Sequence, residues 1–300
     1  MVLREISFEI LQCCPNNCIY CSSNSNIKST NIIDFDIFVR VIDDAVSMGL
    51  KTLCLSGGEP FLHPNLIDMV KHAKKDGLEV FIYTSGICMK NGENAPLDLE
   101  RLSILKDLNV DKLIFNMQAA EEGLYDRIMG NKGCFKIMKE SIMSASSLGI
   151  FTEIHFVPMK ININQIDKVI DLASSLGVKK ISFLRLVIQG RALKNRSIVE
   201  LSDEERKKLE DALSRIKSNK PNIDIRIGVP LSDKEDNKQC LAASGKLIIK
   251  YDGSVFPCEA FKYIRTIKKD KEIVPDNIKN KRLSYIWENS EFLNILRNDI

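Results

Sequence analysis

From Ile6 to Leu186 the chain repeats one pattern: a short apolar run, then an amphipathic segment, most often closed by a glycine. Ile6 to Cys13, Thr52 to Leu55, Leu78 to Tyr83, Lys112 to Met117, Phe151 to Val157 and Lys180 to Leu186 read as strands. Asp34 to Ser47, Asn65 to Lys75, Pro96 to Leu108, Phe135 to Leu148 and Asn164 to Leu176 read as helices, with Gly49, Gly77, Gly149 and Gly177 just past four of their ends. Strands that alternate with helices at this spacing form βα units on a parallel sheet. Six such units suit an open doubly wound sheet or a partly closed barrel. In either, chemistry belongs at the C-terminal ends of the strands. Four unusual segments fall on that rim: Cys14 to Cys21, Ser56 to Pro60, Thr84 to Gly86 and Asn116 to Gln118.

After Gly190 the pattern changes. Ser202 to Lys217 reads as a charged helix opened by a capping box. Lys246 to Tyr251 and Ser254 to Phe256 flank Asp252-Gly253, a strong hairpin signal. The expected division is 1–200 for the core and 201–300 for a small C-terminal α+β extension containing the hairpin.

Four cysteines lie between residues 13 and 21, in "CCPNNCIYC". A disulfide pair, a zinc site and an iron–sulfur cluster are the chemical candidates. No signal-like or membrane-spanning apolar run is present, so a cytoplasmic, non-membrane protein is expected and disulfides are disfavoured. A net charge of +3 with scattered lysines excludes a dedicated nucleic-acid binder. Cys14, Cys18 and Cys21 have the spacing C-x3-C-x2-C, and no histidine follows at zinc-finger spacing. Three thiolates leave one coordination position open, as catalysis at a metal requires.

C-x3-C-x2-C after the first strand and "SGGEP" after the second resemble the radical S-adenosylmethionine (SAM) enzymes over roughly residues 6 to 190. The resemblance implies a partial (β/α)6 TIM barrel. It implies a [4Fe–4S] cluster on Cys14, Cys18 and Cys21, with SAM chelating the fourth iron and cleaved to a 5′-deoxyadenosyl radical. It further implies that Tyr20 lies beside the adenine, that Gly57, Gly58 and Glu59 meet the methionine end with Glu59 accepting from the ammonium, and that Ser85 and Asn116 contact SAM. Gln118 stands where many relatives have Asp. Arg185, Gln189 and Arg191 are candidates for carboxylate or structural contacts. His63 is expected to be structural, Cys13 to be the buried end of the first strand, and Cys54, Cys88 and Cys134 to be buried or incidental thiols.

The stretch "CLAASGKLIIKYDGSVFPCEAF" resembles the opening of a SPASM or twitch domain, which implies an auxiliary site at Cys240 and Cys258. No cysteine follows Cys258, so no complete four-cysteine auxiliary cluster is expected; a longer chain would restore one. No extra N-terminal segment for leader-peptide recognition is visible. SPASM relatives imply peptide or protein modification, with flavodoxin or ferredoxin as electron donor. The alternatives are a small-molecule dehydrogenase or isomerase, and a non-catalytic iron–sulfur or zinc module. No single catalytic residue stands out.

Overall fold

A computed structural model describes residues 1–219, 223–228, 231, 241–263, 266–268 and 271–299. Six strands follow the expected order: β1 (Glu5–Leu11), β2 (Thr52–Gly57), β3 (Glu79–Thr84), β4 (Lys112–Asn116), β5 (Thr152–Phe156) and β6 (Lys180–Phe183). All pair in parallel with their neighbours in sequence. Three more strands extend the sheet: β7 (Asp224–Ile227) beside β6, β8 (Lys246–Ile249) beside β1, and β9 (Val255–Phe256) beside β8. The nine-stranded order is β9-β8-β1-β2-β3-β4-β5-β6-β7, a barrel left open between β7 and β9. Helices α1 (Phe35–Ser47), α2 (Leu66–Lys75), α3 (Leu99–Asp107), α4 (Glu122–Met129), α5 (Cys134–Ser147) and α6 (Ile166–Ser175) connect the six core strands, with α4 and α5 both between β4 and β5, and α7 (Asp203–Asn219) follows.

Apolar spacing explains the layering. In α1, Phe38, Val41, Ile42 and Ala45 recur at helical intervals and all are buried. They meet the outward face of the sheet, where Ile6, Phe8 and Ile10 are fully buried. Each such side chain contributes about 1.5–3 kcal/mol by leaving water. The alternate residues face inward and are polar: Glu9, Ser56, Tyr83, Asn116, Glu153 and His155. They meet one another across the lumen. Ser182 Oγ donates to Glu153 Oε1 at 2.5 Å, and the Tyr83 and His155 rings lie 5.2 Å apart, edge to face. A barrel of this size normally fills its interior with aliphatic layers; this one places several polar groups there.

Several boundaries differ from expectation. β1 stops at Leu11, because the register against β2 shifts between Glu9 and Leu11. Cys13 is therefore not the buried end of a strand; it is half-buried in an isolated bridge to Asn26. β6 ends at Phe183, three residues early. α3 starts at Leu99, where Asp98 caps it by accepting from Glu100 N and Arg101 N. The hairpin forms around Gly253 (φ +91°) as the Asp-Gly pair dictates, but its first strand also pairs with β1. The sheet is thus continuous across residue 200 at both of its edges. Among the described residues no helix is long and apolar enough to cross a membrane.

Candidate active site

Residues 12–26 leave the C-terminal end of β1 and carry Cys14, Cys18 and Cys21. The loop has almost no secondary structure of its own, so its shape comes from bonds to other elements. From the β2 side, Gly58 N donates to Leu11 O at 2.7 Å and Glu59 N to Cys13 O at 2.8 Å. From the end of α4, Asn17 N reaches Met129 O and Ile19 N reaches Ile128 O, both at 2.9 Å. From the segment after β6, Arg191 donates through Nε to Cys18 O and through Nη2 to Ser25 O, each at 2.7 Å. Asn195 Nδ2 donates to Ile19 O at 2.9 Å. Arg191 is thus a structural clamp on the cysteine loop. Gln189 Nε2 donates to Ala260 O at 2.5 Å, and Arg185 lines a separate cavity of about 460 Å³ beside the loop after β6.

The glycines of the second rim segment serve this loop. A Cβ on Gly57 (φ +133°) would lie 2.2 Å from Leu11 O, and one on Gly58 1.9 Å from Cys13 O. The close approach they permit is that of the chain's own cysteine loop. Glu59 departs from the expectation that its side chain accepts from an ammonium group. It is fully buried, Oε1 accepting from Phe61 N (3.2 Å) and Thr84 Oγ1 (2.7 Å), Oε2 from Ser85 N (2.7 Å) and Ser85 Oγ (2.5 Å). Four donors fill a carboxylate, so no acceptor remains for an ammonium group. Burial pushes the Glu59 carboxyl up, against the bonds from Ser85 and Thr84. The carboxylate ties the β2 turn to the β3 turn, and Ser85 is its partner there.

Tyr20 and Asn116, far apart in sequence, meet: Asn116 Nδ2 donates to Tyr20 Oη at 3.3 Å. Asn116 Oδ1 is buried and has no hydrogen-bond partner among the described residues. Asn16 Nδ2 and Ser25 Oγ, both on the cysteine loop, are in the same condition. A bound group that brings donors to Asn116 and acceptors to the loop would satisfy all three. Burial raises the Cys14 thiol well above its usual range, with Cys18 and Glu59 adding to it. It pushes Cys18 up to about 12, Cys21 adding and Arg191 opposing. Thiols so disposed give up their protons only to a cationic centre. Among the described residues, the one group of His, Cys, Asp and Glu whose ligand atoms all lie within 4.8 Å of one another is Asp43, His72 and Asp76. The three thiols are spread wider than a single tetrahedral ion would gather them. An iron–sulfur cluster fits this donor set, and a lone zinc ion does not.

Other expected residues fall elsewhere. Gln118 bridges β4 and β5 structurally, donating to His155 O and accepting from Val157 N. His63 is structural, with Nε2 3.0 Å from Ile33 O. Cys54, Cys88 and Cys134 are all buried, and the Cys54 sulfur lies 3.9 Å from Tyr83 Oη. Cys258 is half-buried in the turn after β9, whereas Cys240 lies outside the described residues. Glu9 and Lys262, an ion pair beside the cysteine loop, escaped the sequence reading. Glu9 was visible as a lone charge inside the apolar run "ISFEIL"; Lys262 carried no signal, since only tertiary structure brings it there.

A partial barrel with three thiols at its rim above a polar lumen defines an iron–sulfur enzyme of the radical SAM type. The family model "Radical SAM superfamily" matches residues 8–173, and the model described as "Iron-sulfur cluster-binding domain" (SPASM) matches residues 240–300. The chain belongs to the radical SAM superfamily, whose cofactors are an iron–sulfur cluster and SAM. It is similar to a PqqA peptide cyclase of Bradyrhizobium diazoefficiens, 28% identical over 97% of this chain and 74% of that protein. In fold it is similar to SuiB of Streptococcus suis bound to SAM, with a TM-score of 0.78 at 17% identity, over 99% of this chain and 68% of that one. The same protein bound to its precursor peptide SuiA matches with a TM-score of 0.79 at 16% identity, over 99% and 67% of the two chains.

Proposed function

We propose that Cys14, Cys18 and Cys21 ligate a [4Fe–4S] cluster and that the enzyme modifies a peptide or protein whose reacting residue enters the barrel lumen. The observation that carries this reading is the set of three thiols, two buried and one half-buried, at the mouth of the lumen, in a chain similar to peptide cyclases along nearly its whole length. When bound, the cluster and SAM supply a 5′-deoxyadenosyl radical that takes a hydrogen atom from the substrate. The chain's own residues orient and enclose. Asn116 Oδ1 offers its unused acceptor to a ribose hydroxyl, and Tyr20, held by Asn116 Nδ2, offers a ring face to the adenine. Gly57, Gly58, Glu59 and Ser85 fix the rim against the start of the cysteine loop, so Cys14 is presented without rearrangement. Asn16 Nδ2 donates to the bound centre. A cytoplasmic location, which is reducing, and a small one-electron donor such as flavodoxin or ferredoxin, which supplies the electron that SAM cleavage consumes, complete the reading.

Anaerobic reconstitution tests it. The wild type is expected to bind iron and sulfide and, once reduced, to release 5′-deoxyadenosine. The Cys14→Ala/Cys18→Ala/Cys21→Ala variant is expected to lose a cluster and that release together. Unchanged iron and sulfide in the triple variant, or zinc without sulfide in the wild type, would overturn the ligand assignment.

A further inference from the structure

Glu9 and Lys262 are joined by a salt bridge of 2.5 Å, with side chains only 3% and 4% exposed. Burying a lysine is costly unless a charge and hydrogen bonds compensate, and an apolar pair of similar volume often serves stability as well. The position of this pair explains its use better than stability does. Glu9 lies on the inward face of β1. Lys262 comes from the turn after Cys258, in the region matched by the SPASM family model. Lys262 Nζ also donates to Ser23 Oγ at 3.1 Å, and Ser23 Oγ donates to Glu9 Oε1 at 2.5 Å. Ser23 stands two residues after Cys21. Its carbonyl accepts from Gln12 Nε2 at 3.2 Å and from Tyr251 Oη at 3.3 Å. Residues past 250 therefore hold the segment leaving Cys21 at Ser23, by both its side chain and its main chain. Glu9 Oε2 has no hydrogen-bond partner among the described residues, so its charge is balanced by Lys262 from one side alone. Burial works against the Lys262 ammonium, but Glu9 and Glu259 outweigh it and keep it charged.

We propose that Glu9 and Lys262 form a charge couple whose members act in opposite senses on the reduction potential of the cluster on Cys14, Cys18 and Cys21, Lys262 being a positioning residue delivered by the C-terminal region that offsets the buried carboxylate. The inference rests on the ligand assignment above. One-electron reduction adds a negative charge to the cluster; a nearby cation favours it and a nearby anion opposes it. Removing one member of the couple leaves the other uncompensated. A unit charge about 10 Å away, at an effective dielectric of about 20, changes the reduced-to-oxidised ratio about tenfold.

The test is an anaerobic redox titration of the full reconstituted chain, followed by the electron paramagnetic resonance signal that changes on adding SAM. Lys262→Met is expected to make reduction about tenfold less favourable, about 59 mV for a one-electron couple, and Glu9→Gln to make it about tenfold more favourable. The double variant is expected to return to within about threefold of the wild type, and Lys262→Arg to stay there. Opposite signs mark an electrostatic role, because a merely structural pair would loosen the site in one direction. Shifts of the same sign, or shifts under about threefold in both single variants, would overturn the proposal. If Lys262→Met does not accumulate, Glu9→Gln decides alone: a rise supports the couple, and a fall or no change overturns it. A SAM-responsive signal that survives in the triple cysteine variant would overturn the ligand assignment and this inference with it.

Discussion

Gly58 and Gly77 look alike in the sequence and differ in what a methyl group would meet. At Gly58 it would lie 1.9 Å from Cys13 O; at Gly77 (φ +74°) nothing lies within 4 Å. Gly58→Ala is expected to displace the cysteine loop and abolish iron uptake. Gly77→Ala should cost only the backbone strain of a left-handed position, about 1 kcal/mol, with iron uptake intact. Iron per chain and melting temperature, measured on both variants, check the contrast. In the lumen, Glu153 is pulled down from its ordinary 4.5 to about 2. Burial opposes this, but hydrogen bonds from His155 and Ser182 and the charge of Lys112 prevail. A carboxylate depressed in the folded state stabilises it fully above the unfolded value. That contribution, roughly 3 kcal/mol, is lost as pH falls from about 4.5 through about 2. Denaturant titrations across this window should show the slope, and Glu153→Gln should flatten it. The importance of Gly58 was legible in "SGGEP", but its cause was not, since the neighbour it must clear is 45 residues away along the chain.

Elements with a periodic pattern and a local stop signal were read well. The hairpin follows from Asp252-Gly253. The helix α7 opens with the expected reciprocal cap: Ser202 N donates to Glu205 Oε2 at 2.8 Å, and Glu205 N to Ser202 Oγ at 3.2 Å. Ser202→Ala is expected to cost about 1 kcal/mol in denaturant titration and to leave cluster content unchanged. Elements whose limits depend on distant partners were read poorly. β1 ends where its register against β2 shifts, and no local residue marks the spot. α4 (Glu122–Met129), only eight residues long, has no counterpart among the helices that the apolar pattern predicts. Its role appears in three dimensions, where a Cβ on Gly130 would lie 2.5 Å from Asn17 O on the cysteine loop.

At the scale of the whole molecule, the strand order puts β8 on the free edge of β1 and Lys262 beside Glu9. A fragment of residues 1–200 would expose the unpaired edge of an apolar strand and leave Glu9 buried without its cation. It is expected to aggregate when expressed alone, whereas the full chain does not; sedimentation of both checks this. The main chain of the cysteine loop is fastened by bonds from the β2 turn, α4, the segment after β6 and Tyr251, and these main-chain bonds need no thiol. Order of assembly follows from that. The polypeptide can fold first and be loaded afterwards, and a chelator should strip it to a stable apoprotein that takes up iron and sulfide again without unfolding. For a protein whose cluster air destroys, such a scaffold makes damage a matter of repair rather than of resynthesis.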